Sequence, residues 1–534
     1  MIADPIRLGL AAGWKVIDAA SLERDMTLEA DVAIVGSGAG GGVSAEILAE
    51  AGLSVVIVEE GPLRSSSDFR MREREAYPQL YQESAGRQTR DKAITILQGR
   101  AVGGSTTVNW TSSFRTPAKT LAHWREAHGL AKASETELSP WFARMESRLS
   151  ISPWPVPPNE NNDILRRGCA KLSIPTGAIR RNVKGCWNLG YCGMGCPTNA
   201  KQSMLVTTLP AALSRGATLV QRGRVERLVM QGDRLDSLEI RGVEGPGTEP
   251  GPVRIRLVAR HFILAAGAIG TPAVLLRSNL PDPAGLAGHR TFLHPVVATA
   301  AVMPWPVQAF SGAPQTVYSD HFLDSMPLEG PIGYKLEAPP LHPILASITL
   351  PGFGKDHARW MKEFPNLQVV IALLRDGFHP GSPGGRVRLR ADGTPELDYP
   401  IGDYLWDGAR RALLTMAEIQ FAASAGTVLA LHEDATPCDT WAKAREQIGA
   451  LPMAALRTRV MSAHVMGGCP MGPDPRRALV DENGRHHHVA NLSVHDGSIF
   501  PTSIGANPQL SIYAQAARMA SALVAELTKE RPAG

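Results

Sequence analysis

Asp31-Val-Ala-Ile-Val-Gly36-Ser-Gly38-Ala-Gly-Gly41-Gly-Val43, continuing as Ser-Ala-Glu-Ile-Leu-Ala-Glu-Ala51-Gly52, is the stretch whose reading decides the fold. An apolar run, Asp31 to Val35, enters a glycine-rich turn, Gly36 to Gly42. Val43 to Ala51 then carries apolar residues at helical spacing and stops at Gly52, and Ser54 to Val58 follows as a second apolar run. Strand, tight turn, helix and strand in that order open a parallel βαβ unit. Gly36, Gly38 and Gly41 form G-x-G-x-x-G at the strand-to-helix turn, and Glu59 ends the next strand. The first glycine permits the turn, the second lets backbone approach a pyrophosphate, and the third lets the helix pack on the strand with its amino end toward the phosphates. Glu59 is placed to hold the adenosine ribose hydroxyls. The motif binds a dinucleotide without separating NAD from FAD.

Working outward, the 534 residues allow two or three domains, or one two-part enzyme with a substrate region inserted into a cofactor fold. With 44% apolar and 20% charged residues, the composition is that of a soluble globular protein. The formal charge is +4 and the basic residues are scattered, which argues against a nucleic-acid footprint and for a small-molecule partner. The apolar patch Leu8 to Trp14 follows Asp4 and lacks the basic leader and cleavage site of a signal peptide. No run reaches the ~20 apolar residues of a spanning helix. Six cysteines in so long a chain do not form a small disulfide framework, so a reducing compartment, the cytoplasm, is the default expectation; export with a signal-bearing partner stays open.

Further along, Leu213 to Arg241 and Val253 to Leu264 read as β-rich segments around a turn-rich loop, Glu244 to Pro252, followed by a second glycine turn at Ala265 to Gly270. Met303 to Asp403, rich in Pro, Gly and isolated aromatics, reads as strands with long loops, a substrate-facing sheet. The expected class is α/β, a Rossmann-type cofactor domain with a second, sheet-based substrate domain. The expected division is 28–300 for the cofactor region, 301–455 mainly for substrate, and 456–534 as the return to the cofactor region with active-site residues.

Three further segments separate the two cofactors. Gly99-Arg100-Ala101-Val102-Gly103-Gly104-Ser105-Thr106-Thr107-Val108-Asn109 resembles the flavin loop of the glucose-methanol-choline (GMC) oxidoreductases. Ser462-Ala463-His464 through Gly472, and Val494-His495-Asp496-Gly497-Ser498 through Asn507-Pro508, resemble that family's active-site segments in the right order. The resemblance implies FAD. It also implies that Gly103, Gly104, Ser105, Thr106, Asn109, Asp496, Gly497 and Pro508 approach the cofactor, with Val225 and Ala266 near its adenine and phosphates. Independently, a Gly-Gly-Ser-Thr turn exposes N–H groups and hydroxyls suited to a flavin's polar edge. Some members bind FAD covalently through a histidine in this loop, but the matching residue here is Val108, so the expected FAD is non-covalent.

Hydride leaves an alcohol carbon only as the hydroxyl proton leaves, and a neutral histidine is a suitable base near pH 7. His464 matches the family's catalytic histidine and Asn507 its partner, which orients the substrate oxygen. The run His486-His487-His488 reads as a solvated turn. Cys186, Cys192 and Cys196, as C-x5-C-x3-C, are similar to the three-iron [3Fe-4S] motif of FAD-dependent sugar dehydrogenases, whereas the continuation to Ser203 looks like long-chain alcohol oxidases. A cluster, a zinc site completed by histidine, and structural thiols all stay open. With a cluster, electrons pass to an external carrier or partner subunit; without one, an oxidase forming hydrogen peroxide is favoured. The expected reaction is oxidation of a hydrophobic primary alcohol to the aldehyde. The rivals are an FAD-containing hydroxynitrile-type lyase and a non-catalytic dinucleotide-binding subunit.

Overall fold

The computed structural model describes residues 2–245 and 250–529, so the centre of the Glu244 to Pro252 loop and the last five residues of the 456–534 range lie outside the described residues. Met26–Val35 is the central strand of an eight-stranded sheet. It pairs in parallel with Val55–Val58 on one side and with Pro250–Leu264 on the other. Thr218–Gln221 and Lys15–Asp18 extend the parallel array beyond Val55–Val58. Arg234–Val243 and Gly223–Gln231 close the opposite side as an antiparallel pair. Val32, Ala33, Ile34 and Ile57 are wholly buried, as expected of strands covered on both faces.

The helix after the glycine turn spans Ala39–Glu50 and is N-capped at Gly38. It starts before Val43 because the turn passes straight into it, without an intervening loop. Leu492–Val494 pairs in parallel with Phe262 to Leu264, and helix Gln509–Lys529 packs against Ala39–Glu50. The C-terminal segment therefore returns to the nucleotide sheet, which carries its loops back to the mouth of the glycine turn.

A second eight-stranded sheet runs in the order Ile94–Ile96, Val460–Ser462, Val296–Val302, Leu367–Leu374, Tyr334–Glu337, Val317–Ser319, Gly177–Ala178, with Thr427–Ala430 also paired to Val296–Val302. Strands from all three sequence ranges enter it. Met303 to Asp403 supplies three of these strands, but helices Pro343–Thr349 and Gly354–Lys362 interrupt them, and helix Asp403–Ala422 packs across the sheet. Leu405, Ala409, Ala412, Leu413 and Met416 form the buried stripe of that helix. Each sheet has its own apolar core.

Candidate active site

One cavity of about 500 Å³ is lined by the glycine turn at one part of its wall and by the two C-terminal segments at another. Gly36, Gly38, Glu59, Gly104, Ser105, Thr106, Asn109, Val225, Ala266, Asp496, Gly497, Pro508, His464 and Asn507 all line it. Gly41 and Gly103 do not. A Cβ on Gly41 would lie 1.9 Å from the Gly36 carbonyl oxygen, so Gly41 serves the helix–strand contact. Gly103, in left-handed backbone at φ +89°, donates its N–H to Ser37 Oγ at 2.9 Å, which ties the loop to the glycine turn.

The residues at the glycine turn fit a dinucleotide. Gly104 has φ +54°, and a Cβ there would lie 2.7 Å from Gly38 Cα, so the turn and the 99–109 loop meet backbone to backbone. Glu59 accepts from Ser37 N–H (3.0 Å), Ser37 Oγ–H (2.6 Å) and Gly61 N–H (2.8 Å). Three of its roughly four acceptor positions are thereby filled, leaving about one for a ribose hydroxyl. Burial raises its pKa. Asp496 accepts from Gly267 N–H (2.8 Å), Thr271 Oγ–H (2.6 Å) and Ser498 N–H (2.8 Å), which ties helix Gly267–Ser278 to the Gly497 turn. Val108, buried at the wall, offers no atom for a covalent flavin link.

His464 lies between two pairings of neighbouring segments: Met461 opposite Val296, and Met466 opposite Phe292. His294 lies in the facing gap, so register alone brings the two rings together. Their Nδ1 atoms are 3.3 Å apart, with the rings edge to face. His294 has φ +44°, an uncommon value for a non-glycine residue. The Asp376 carboxylate holds that turn by accepting Leu293 N–H at 2.9 Å and His294 N–H at 3.1 Å. His294 Nε2 accepts Gly505 N–H at 3.0 Å.

Enclosure by protein lowers the pKa of His464 to about 4, with Lys335 pushing the same way, so the imidazole is neutral at pH 7. Asn507 Nδ2 lies 3.5 Å from His464 Nε2 and 3.4 Å from Glu337 Oε2. Glu337, wholly buried, also accepts Gln315 Nε2–H at 2.6 Å, and burial raises its pKa to about 7. Asn507 Oδ1, Glu337 Oε1 and Trp110 Nε1 are buried without a partner among the described residues, and Asn507 and Trp110 line the cavity. Such orphaned groups suit a polar ligand atom. His294, Glu337, Trp110 and Gln315 escaped the sequence reading.

The three cysteines lie apart from this cavity, and none of them lines it. Each has its own local partner: Cys186 Sγ accepts Asn188 N–H at 3.4 Å, Cys192 Sγ lies 3.8 Å from Arg181 Nη2, and Cys196 Sγ lies 3.4 Å from Thr198 Oγ1. Among the described residues no three His, Cys, Asp or Glu side chains converge as a metal site, so nothing in this arrangement supports the cluster. Their segment is instead fastened to the flavin loop. Buried Lys201 donates to the carbonyls of Thr107 (2.6 Å), Asn109 (3.0 Å) and Cys192 (2.8 Å). The histidine run is not solvated either: His486 is buried and His487 Nε2 bonds the Gly472 carbonyl at 3.0 Å.

Comparison with known proteins agrees with this geometry. Models of the N- and C-terminal parts of the GMC oxidoreductases match residues 77–296 and 380–516. An uncharacterized GMC-type oxidoreductase, y4nJ, of Sinorhizobium fredii is 30% identical over 96% of this chain and 98% of its own. Long-chain-alcohol oxidase FAO4A of Arabidopsis thaliana is 28% identical over 91% of this chain and 67% of its own. Pyridoxine 4-oxidase from Mesorbium loti superposes with a TM-score of 0.67 at 19% identity, covering 92% of this chain and 98% of its own, which supports the shared fold. Glycine turn, flavin loop and paired C-terminal segments around one cavity, together with these matches, establish that the chain belongs to the GMC oxidoreductases, FAD-dependent enzymes that act on CH–OH donors.

Proposed function

We propose that this enzyme oxidises a hydrophobic primary alcohol to the aldehyde, with His464 taking the hydroxyl proton and Asn507 orienting the oxygen. The observation that carries this reading is the 3.5 Å approach of Asn507 and His464 in the wall of the cavity that also receives the dinucleotide turn. FAD would be held non-covalently by the glycine turn and the 99–109 loop, and would supply the hydride acceptor. The similarity to long-chain-alcohol oxidases, and Leu97, Trp110, Val465 and Ile512 in the cavity wall, support an apolar substrate. Dioxygen, reduced to hydrogen peroxide, is the acceptor that the similarity to oxidases favours.

His294 determines which nitrogen of His464 is free. With Gly505 N–H on Nε2, the His294 proton sits on Nδ1, so neutral His464 accepts there and keeps its own proton on Nε2. Taking the hydroxyl proton at Nε2 requires the reverse: His464 protonated on Nδ1, with His294 accepting there and carrying its proton on Nε2. The Gly505 bond is released in that state. Base catalysis is thus coupled to a tautomer exchange across the 3.3 Å contact.

The test is a substrate panel on the FAD-loaded protein. Medium-chain and benzylic alcohols should yield one aldehyde per hydrogen peroxide in air. Turnover confined to polyols would overturn the substrate class, and cyanohydrin cleavage without flavin reduction would overturn the oxidation itself.

A further inference from the structure

Helix Pro343–Thr349, the turn after it and helix Gly354–Lys362 form a hairpin with an apolar tip in water. Ile344 is 39% exposed, Ile348 60% and Phe353 91%. Scattered single apolar residues are ordinary on a surface, but three on one hairpin, one almost wholly bare, are not. Gly352 (φ +88°) and Gly354 (φ +58°) flank Phe353 in left-handed backbone, so the projecting turn is built into the sequence.

The hairpin is firmly seated at its base. The buried Glu73 carboxylate accepts Ile344 N–H at 2.7 Å and Leu345 N–H at 2.9 Å. His357 Nε2 bonds the Ser347 carbonyl at 2.8 Å, and Trp360 is buried beneath the second helix. The exposed tip is therefore held in place.

Cations surround it. Lys355, Arg359 and Lys362 are exposed at i, i+4 and i+7, one stripe of the second helix. Arg70, Met71, Arg72 and Arg74, all exposed, belong to the segment that carries the Glu73 clamp. Arg72 pairs with Glu75 at 3.2 Å, whereas Arg70, Arg74, Lys355, Arg359 and Lys362 meet no carboxylate within ion-pair distance among the described residues. Asp356 is the exposed acid within the hairpin.

We propose that this hairpin sets the protein on the surface of an anionic lipid bilayer, with Phe353 and Ile348 entering the acyl boundary and the Lys355/Arg359/Lys362 stripe lying on the headgroups. An apolar tip beside unpaired cations is the pattern of interfacial anchoring. Protein interfaces differ: their cores are depleted of lysine, and they are complementary patches rather than a single protruding turn. No residue of the hairpin lines the cavity, so docking and catalysis are separable.

The experiment is co-sedimentation of the FAD-loaded full chain with phosphatidylcholine vesicles, with and without phosphatidylglycerol. Binding should require phosphatidylglycerol and weaken as salt rises. Phe353→Asp should reduce it by ~10-fold or more, and charge reversal of Lys355, Arg359 and Lys362 by about fivefold for each cation lost. Turnover of a short water-soluble alcohol should be the same in both variants. Equal binding of Phe353→Asp and the wild-type chain, equal binding to both vesicle types, or no sedimentation with anionic vesicles would each overturn the proposal.

Discussion

His294 Nδ1 stands 3.3 Å from His464 Nδ1 while Gly505 N–H occupies the other His294 nitrogen, so the protonation of one buried ring is tied to that of the other. His294→Gln removes this tie without emptying the site. Flavin reduction should slow by less than the ~10²–10⁴-fold expected for losing a general base, and its pH dependence should shift because the second ring no longer biases His464. FAD content and thermal midpoint are the controls. A slower enzyme with an unchanged pH profile would make His294 merely structural.

Glu337 should give the reaction a limb near neutrality. Its pKa is raised to about 7 by burial; Lys335 and the bonds from Asn507 and Gln315 oppose that rise, and Asp320 adds to it. Below that value the protonated carboxyl donates to Asn507 Oδ1, which turns the amide N–H toward the cavity. Above it, the carboxylate takes the N–H for itself. The rate of flavin reduction should therefore fall as pH rises through about 7, and fall again as pH drops through about 4, where His464 becomes charged. Glu337→Gln should abolish the upper limb and leave the lower one.

Gly104→Ala tests the close approach of the turn to the flavin loop. Its φ of +54° disfavours any Cβ, and the added carbon would lie 2.7 Å from Gly38 Cα, backbone that cannot step aside. Strain of about 1–2 kcal/mol should weaken FAD binding by roughly tenfold or more, measured as flavin released on dilution. The apo fold, followed by circular dichroism, should persist.

Lys201 and the cysteines should separate cleanly. Replacing Cys186, Cys192 and Cys196 with serine should leave FAD content and alcohol turnover intact, and iron analysis of protein purified without air should find none. Lys201→Met leaves three carbonyls without their donor and should destabilise the fold by about 1–3 kcal/mol, seen as a lower denaturant midpoint. Stoichiometric iron, or loss of flavin reduction in the serine variant, would reinstate the cluster.

Much of this was legible in the sequence because local chemistry decides it. G-x-G-x-x-G between two apolar runs prescribes its own turn, and the ordered segments around Gly104, His464 and Asn507 fix their side of the cavity. Gly103 and Gly104 look alike in sequence, and only the chain path shows that Gly104 lines the cavity. Glu337 and His294 were invisible for a different reason. Glu337 alternates with ordinary strand residues, and His294 meets His464 through the register of two segments far apart in sequence. The cysteine spacing left its alternatives open because three thiols in a short loop can converge or turn to separate partners, and spacing alone does not say which.

Anaerobic single-turnover mixing of a medium-chain alcohol with the wild-type chain and with His464→Ala tests the central claim most directly. The wild-type flavin should bleach with formation of one aldehyde, and the variant should retain FAD and bleach ~10²–10⁴-fold more slowly. Bleaching at the same rate in both, or none in the wild type with any alcohol, would contradict it.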